Sequence, residues 1–317
     1  MTLKKFFIFL LLLGNVASSI AQTVTCKVLY SASANQSLYD VQVMDSNSLE
    51  AAGKNGTFII IGKLNDSFVV NESIMLDETV YHILPTNNYD LMLCNQSSIQ
   101  AFAEHQIYNN TIDDKRNQAI YCGAYQNDSC FIGSMQTKIA AGSKAIPHGR
   151  IFITNQQAKV LHTKKYWASA IWDIYKNQQH VEALKYNLFG SRILQWNGKH
   201  WQKKKHYPYL LHKAFATDST IIYCGSKNFR RQFGVVLINN KVYKIPQTDV
   251  VWDVAMVGNT IIACGSKGKL LYKNNSTDEF KTLDTKTNFN MYDIVKVDSY
   301  TAIVVGQNGV VVEVRVN

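Results

Sequence analysis

The chain repeats a short pattern at a period of about 40 residues. Its clearest copies begin at Leu38-Tyr39-Asp40-Val41, Val251-Trp252-Asp253-Val254 and Met291-Tyr292-Asp293-Ile294. Weaker copies are anchored at His82, at Tyr121-Cys122, at Asp173 and at His212. The measurable anchor spacings are 42, 39, 41 and 40 residues. A period near 40 is typical of one four-stranded propeller blade, so seven copies predict an all-β, seven-bladed propeller.

Within each unit, short β-rich runs alternate with turn residues. Asn55-Gly56 and Asn308-Gly309 follow small-residue segments and predict tight turns in which both residues have positive φ. Gly53, Gly265 and Gly306 close those segments, and small residues there suit strands near a crowded axis. We therefore interpret these glycines, together with Asp40, Asp173, Asp253 and Asp293, as structural repeat residues. Unit boundaries between Asn117 and Trp172 are not defined by the pattern.

The two ends of the repeat region complement each other. The last unit stops after 310–316 and lacks a fourth strand, whereas 23–30 supplies a strand before the first unit. One strand therefore completes the other blade, which closes the ring and removes exposed sheet edges. The sequence predicts a single propeller domain over 22–317.

The first 21 residues have the pattern of a signal peptide. Lys4-Lys5 precede an apolar run from Phe6 to Leu13, and small residues lead to Ala21. The apolar run is too short to span a membrane. We expect cleavage after Ala21, a secreted or periplasmic protein, and no membrane-spanning segment.

The charge balance is moderately basic. The formal net charge is +10, and loss of the signal peptide with its two lysines and no acids leaves +8. A dispersed surplus of this size does not indicate a nucleic-acid partner, which requires a segregated patch.

Six cysteines in an exported chain raise the question of disulfides. Cys94, Cys122, Cys224 and Cys264 each precede Asn or Gly at what we interpret as equivalent repeat positions, so they are expected to be separate, buried, small apolar residues. Cys122 and Cys130 form a possible disulfide across one hairpin. Cys26 is expected to be unpaired or bonded to Cys130.

The unit with Asp-Val, Asn, Ala-x-Gly and Gly at fixed spacing resembles the propellers of the photosystem II assembly and stability factor family and related Asp-box repeat proteins. In that family a Thr-x-Asp-Gly-Gly-x-Thr-Trp turn commonly follows the apolar strand. Thr277-Asp278-Glu279-Phe280 and Asn197-Gly198-Lys199-His200-Trp201 stand at the corresponding places as degenerate forms. The resemblance implies the propeller fold.

No residue set predicts catalysis. A carboxylate recurring once per blade is typical of a structural residue that bonds turn backbone groups, although a ring of carboxylates is also compatible with a cation at the axis. His82 and His212 take the Asp position in their units, and the histidines lack zinc spacing. A sialidase-like site needs clustered arginines, and no motif groups the six that follow the signal peptide, namely Arg116, Arg150, Arg192, Arg230, Arg231 and Arg315. We predict no cofactor, no metal and no catalytic residues.

The strongest local bias mixes cations with aromatic rings. Candidate partner-binding residues are Lys199, Trp201, Lys203, Lys204, Lys205, Tyr207, Arg230 and Arg231, which we interpret as loop residues of one face. The sequence favours a non-enzymatic propeller that binds a protein partner or assists assembly through its loop face. The alternative is a carbohydrate-binding or carbohydrate-active propeller.

Overall fold

A computed structural model of the chain describes residues 23–317, apart from 32–35, 66, 87–89, 95–97, 104–105, 112–117, 140–144, 156–158, 229, 231 and 275–278. In this part of the chain, 28 strands form seven four-stranded antiparallel sheets. The fold is the expected seven-bladed β-propeller. The signal-peptide prediction for residues 1–21 lies outside the described residues.

The first four blades contain consecutive strands, numbered from the axis outwards. Blade 1 comprises β2 (Leu38–Val43), β3 (Ser48–Gly53), β4 (Thr57–Leu64) and β5 (Ser67–Met75). Blade 2 comprises β6 (Val80–Pro85), β7 (Asp90–Cys94), β8 (Ser98–Ala103) and β9 (Gln106–Thr111). Blade 3 comprises β10 (Gln118–Gln126), β11 (Ser129–Ile139), β12 (Ala145–Asn155) and β13 (Val160–Trp167). Blade 4 comprises β14 (Ala170–Asn177), β15 (His180–Asn187), β16 (Gly190–Trp196) and β17 (Trp201–Tyr207).

The remaining blades follow the same order until the last. Blade 5 comprises β18 (Leu210–Ala216), β19 (Ile221–Ser226), β20 (Gly234–Ile238) and β21 (Lys241–Ile245). Blade 6 comprises β22 (Val251–Val257), β23 (Thr260–Gly265), β24 (Leu270–Asn274) and β25 (Lys281–Leu283). Blade 7 comprises β26 (Met291–Lys296), β27 (Thr301–Gly306), β28 (Val311–Val316) and, outermost, β1 (Val24–Tyr30). Two 3-10 turns are described, Lys54–Gly56 and Gln307–Gly309.

Blade 7 is completed by the start of the folded chain. β1 pairs antiparallel with β28 from Val24 opposite Val316 to Tyr30 opposite Val311. Two further backbone hydrogen bonds join Thr23 and Asn317, at 3.2 and 2.9 Å. The prediction that an N-terminal strand closes the ring is confirmed.

The core lies between neighbouring blades. All six residues of β23 and of β27 are buried, which explains why these strands read as continuous apolar runs rather than alternating ones. Between blades 6 and 7, Ile262 and Leu270 belong to the same apolar cluster as Met291, Val304 and Val312. Each sheet therefore depends on its neighbours for burial, as expected of a repeat fold.

The predicted glycines are required by close backbone approach. A Cβ on Gly53 would lie 2.0 Å from the Ser37 carbonyl oxygen, and one on Gly306 would lie 2.2 Å from the Asn290 oxygen. At Gly265 the Val250 oxygen would be 2.7 Å away. In each case the carbonyl belongs to the chain entering the same blade's inner strand, so only a residue without a side chain fits.

The turns after these glycines have the predicted conformation. Asn55 and Gly56 have φ of 55° and 75°, and Asn308 and Gly309 have φ of 58° and 66°. Asparagine tolerates this left-handed region better than most residues, and glycine adopts it freely.

Replacing Gly306 with Ala should destabilise the protein by about 3 kcal/mol, because the new Cβ can be accommodated only by moving backbone. Gly198→Ala is the matched control, since nothing lies within 4 Å of a Cβ there. Its positive φ of 91° should cost roughly 1 kcal/mol. Urea unfolding followed by tryptophan fluorescence measures both. Equal losses would show that the crowding at Gly306 has no energetic consequence.

Candidate functional site

Seven aromatic side chains form a closed ring around the propeller axis, one from the inner strand of each blade. In chain order they are Tyr39, Tyr81, Tyr121, Trp172, His212, Trp252 and Tyr292. Neighbouring ring centroids are 4.9 to 5.9 Å apart all the way round, including the closing pair Tyr292 and Tyr39 at 5.5 Å. These separations are those of interacting aromatic pairs. We call this ring the aromatic collar.

A β-bulge places each collar residue. In blade 6, Val251 pairs with Gly265 and Asp253 pairs with Cys264, so Trp252 has no partner of its own. The same one-residue shift occurs at the collar residue of every other blade. A bulge re-aims a side chain and strengthens local twist. The repeated bulge therefore turns seven aromatic residues towards one another at equal height.

The collar is accessible from one end of the propeller. Six of its rings are half-buried and His212 is buried. Seven centroids at these spacings lie on a circle with a radius of roughly 6 Å. Each collar residue is near the start of its inner strand, at the end where blade-to-blade connections enter. The collar therefore opens towards those connections.

A second ring, which we call the polar ring, follows the collar by one residue. Its members are Asp40, His82, Cys122, Asp173, Lys213, Asp253 and Asp293. Each of its four aspartates accepts a backbone N–H from the next blade's inner strand, at 2.8 to 3.0 Å; the donors are Ile83, Ala214, Ile294 and Val41. These carboxylates were expected to bond backbone groups of turns. They instead join neighbouring blades.

Lys213 reaches from blade 5 to blades 7 and 1. Its Nζ is 3.2 Å from Asp293 Oδ1 and 4.0 Å from Asp40 Oδ1. Burial disfavours the charged ammonium, but the surrounding carboxylates, Asp293 first, raise the pKa of Lys213 well above its usual value. One lysine thus supplies the positive charge for a ring that holds four carboxyl groups.

The four carboxyl groups do not titrate alike. Burial opposes ionisation of Asp40, but the charge of His82 and a 3.0 Å contact between its Nδ1 and Asp40 Oδ1 help to lower the pKa of Asp40 to about 2. Burial raises the pKa of Asp173 to about 6, with Lys213 opposing the shift. Burial also raises the pKa of Asp253 and of Asp293. The carboxyl groups of this ring therefore ionise over different pH ranges.

Beyond the polar ring, a cavity of about 300 Å³ continues along the axis. Lys213, Asp253 and Asp293 line it together with Phe215 and Lys296. Among the described residues, no group of three or more His, Cys, Asp or Glu side chains is arranged to hold a metal ion.

The structure corrects the alignment of blade 5. His212 was expected at the Asp position, but Leu211 pairs with Gly225 and Lys213 with Cys224, which places His212 in the collar. His82 does take the Asp position, because it pairs with Leu93. The sequence carried the signal for the collar, since an aromatic ring or histidine precedes each polar-ring residue.

The cysteines also separate into different positions. Cys224 and Cys264 are equivalent, facing Lys213 and Asp253, whereas Cys94 faces Val80 and Cys122 belongs to the polar ring. All four are buried, as expected. Burial raises the pKa of the Cys122, Cys224 and Cys264 thiols well above the usual value.

Cys122 and Cys130 are not joined in the structure, and none of the six cysteines, Cys26 included, forms a disulfide. Cys130 pairs with Tyr125, three residues along β10 from Cys122. Three residues of strand span about 10 Å, which exceeds the Cα separation that a disulfide allows.

The predicted basic residues are divided between two places. Trp201, Lys203, Lys204, Lys205 and Tyr207 lie on β17, the outermost strand of blade 4, and not in a loop. Lys199 precedes this strand in the β16–β17 turn, whereas Arg230 lies in the β19–β20 connection. Successive antiparallel strands reverse direction, so these two connections lie at opposite ends of their blades. Arg231 lies outside the described residues.

No family model matches the sequence, and no curated protein matches it. Solved structures do resemble it. One described as "YCF48 bound to D1 peptide" is 13% identical with a TM-score of 0.65, over 92% of this chain and 96% of that one. YCF48 from Cyanidioschyzon merolae is 11% identical with a TM-score of 0.66, over 91% and 98%. The WD40 propeller domain of Doa1 is 11% identical with a TM-score of 0.64, over 91% and 96%. At these identities the likeness shows the fold alone.

Within the described part of the chain, no helix is both long enough and apolar enough to cross a membrane.

The raised pKa of Asp173 makes a prediction about pH. A carboxyl group that ionises near pH 6 when folded and near 3.8 when unfolded favours the folded state at low pH, and this contribution is lost as pH rises through 6. Asp173→Asn retains an acceptor for the Ala214 N–H and removes the buried charge. Between pH 4 and pH 8, wild-type stability should therefore fall by about 2 kcal/mol more than that of Asp173→Asn. Urea unfolding across this range measures the difference, and parallel pH profiles would contradict it.

Proposed function

We propose that the protein is a non-enzymatic binding propeller that captures a segment of a partner polypeptide at the aromatic collar and so assists the partner's assembly. The observation that carries the proposal is the closed ring of seven aromatic groups, six of them half-exposed, at one mouth of the axis. Tyrosine and tryptophan are enriched among residues that dominate binding energy at protein interfaces. The collar concentrates six such residues and one histidine ring on a rigid frame.

The fold supports this use of the collar. Carboxylate bonds between blades fix the rings from below, so a ligand would meet a pre-organised surface and would lose little affinity to ordering it. The seven ring centroids lie on a circle with a radius of roughly 6 Å. A ring of this size suits contact with one side chain or a short extended segment, not with a folded domain.

The structural neighbours are consistent with a polypeptide ligand. One similar structure is titled as YCF48 bound to a D1 peptide, which shows that a propeller of this architecture takes a peptide. We extend to this chain the class of ligand, a polypeptide segment, and we include assistance of the partner's assembly as part of the proposal. The kind of partner segment that we expect follows from the aromatic chemistry of the collar, not from the identity of the neighbour's ligand.

We propose that the protein acts outside the cytoplasm. The pattern of residues 1–21 supports export, with cleavage after Ala21. N-terminal sequencing of the protein from culture medium or periplasm tests this, and an intact Met1 on the accumulated protein would contradict it.

A photo-crosslinking experiment tests the binding role. Benzoylphenylalanine at Tyr81, introduced into the mature chain, should crosslink a specific polypeptide from the cell envelope, and mass spectrometry should locate the captured segment. The corresponding synthetic peptide should then bind the unmodified protein in solution.

Trp252→Ala should weaken binding of that peptide at least tenfold, because a buried aromatic anchor at an interface commonly contributes 1 to 3 kcal/mol or more. Trp167→Ala is the matched control, because this tryptophan is 72% exposed and lies on the outer strand of blade 3. Isothermal titration calorimetry measures both, with thermal unfolding to verify folding. Unchanged affinity in Trp252→Ala would rule out the collar. Binding of neutral oligosaccharides, lost in the same variant, would favour the carbohydrate alternative.

A further inference from the structure

A groove of about 720 Å³ lies along the outer edge of blade 5, remote from the axis. It is lined by β21 and by Tyr209, Pro246, Gln247, Glu279 and Phe280. The last two precede β25, the outermost strand of blade 6. The volume of the groove falls within the range of functional ligand clefts. We call it the basic groove.

The floor of the groove is aromatic. The rings of Tyr243 and Phe280 meet edge to face across the two blades, with centroids 5.8 Å apart. Both rings are half-buried and Val242 is 38% exposed. This is more apolar surface than an outer strand needs when it faces only water.

Lysine ammonium groups lie against these rings. The Nζ atoms of Lys241 and Lys273 are 5.1 and 5.6 Å from the centre of the Tyr243 ring. Two further lysines of blade 5 lie against another ring, that of Phe233, which directly precedes β20. The Nζ atoms of Lys244 and Lys227 are 5.9 and 5.3 Å from its centre. Contact with a ring face holds a long flexible cation in place and lowers the entropy lost when it binds an anion.

The positive charge continues onto blade 4. Asn240, at the start of β21, accepts hydrogen bonds from Lys205 Nζ and, at 2.7 Å, from Tyr207 Oη. Lys203 and Lys204 are on the same strand, and all three lysines of β17 are exposed. Among the described residues that line the groove, Glu279 is the one that is acidic. The groove is therefore complementary to an anionic ligand.

The backbone beside the groove offers a second recognition element. β21 is last in its sheet, so one edge of its backbone has no strand partner within the blade. Across the groove, β25 is only three residues long. Peptides bind such edges by adding a strand, with backbone hydrogen bonds supplying affinity and alternate side chains supplying specificity.

We infer that the basic groove binds an extended acidic peptide as an additional strand on β21. Its acidic side chains would lie on the face of the strand from which Lys244 projects, whereas Lys241 and Tyr243 project from the opposite face. An apolar or aromatic side chain would rest on Tyr243 and Phe280. Lysines on an edge strand also discourage aggregation, but that role requires no aromatic floor.

The test uses a fluorescent ten-residue peptide that alternates glutamate with valine, in anisotropy titrations of the mature protein at 50 and 200 mM salt. The acidic peptide should bind more tightly at low salt, and the same peptide with lysine for glutamate should not bind. A copy with N-methyl groups on alternate residues keeps its charge but cannot pair as a strand. It should bind at least tenfold more weakly.

The variant Lys241→Glu with Lys244→Glu should reduce binding of the acidic peptide at least tenfold. Lys164→Glu with Lys165→Glu is the matched control, since both lysines are exposed on β13, the outer strand of blade 3, and it should bind as wild type. Thermal unfolding verifies that both variants fold. Trp252→Ala should also bind as wild type, which separates this site from the collar.

Several results would overturn the inference. They are absence of binding, equal binding of the N-methylated peptide, equal loss in the blade 3 control, or tighter binding of an anionic glycan such as oligogalacturonate than of the acidic peptide.

Discussion

The structure depends on the pairing of its two ends in one sheet. Seven sheets that each bury both faces against a neighbour form a stable body only if the first and last also meet, and β1 against β28 is the link that makes them meet. Because the outermost strand of blade 7 comes from the other end of the chain, opening the ring requires breaking a ladder of backbone hydrogen bonds. The uniform packing between blades follows from that closure.

Close approach of backbone within each blade explains the small residues at the ends of the second strands. Carbonyl groups of the entering chain approach Gly53 and Gly306 so closely that no side chain fits. In each inner strand one residue has no partner on the neighbouring strand. This residue forms a bulge that turns an aromatic ring inward. The polar residue that follows bonds across to the next blade. The aromatic collar and the polar ring thus occupy adjacent positions at the same bulge of each inner strand.

The polar ring shows how a repeated structural position can be modified. Aspartate accepts a backbone N–H of the next blade in four places, and a complete ring of buried carboxylates would repel itself. Lys213 in blade 5 supplies opposite charge at a position equivalent to aspartate, and His82 in blade 2, at another such position, contacts Asp40 through Nδ1. Asp40, near both, ionises readily, whereas burial dominates at Asp173. The residues that replace aspartate at this repeat position therefore determine which of the remaining carboxyl groups ionise readily.

The sequence by itself determined the blade number, the closing strand, the left-handed turns and the need for small residues at Gly53, Gly265 and Gly306. These follow from local chemistry and from spacing along one chain. Only the tertiary structure decided which residues meet across blades. A count of the repeat period cannot detect a one-residue bulge. His212 was therefore assigned to the aspartate position, and Cys122 to the repeat position of Cys224. The lysines of β17 were interpreted as loop residues. Three consecutive charged residues hide the alternation of apolar and polar side chains that identifies a short outer strand. The collar is a ring of residues about 40 positions apart, and only closure of the propeller brings such residues to one axis.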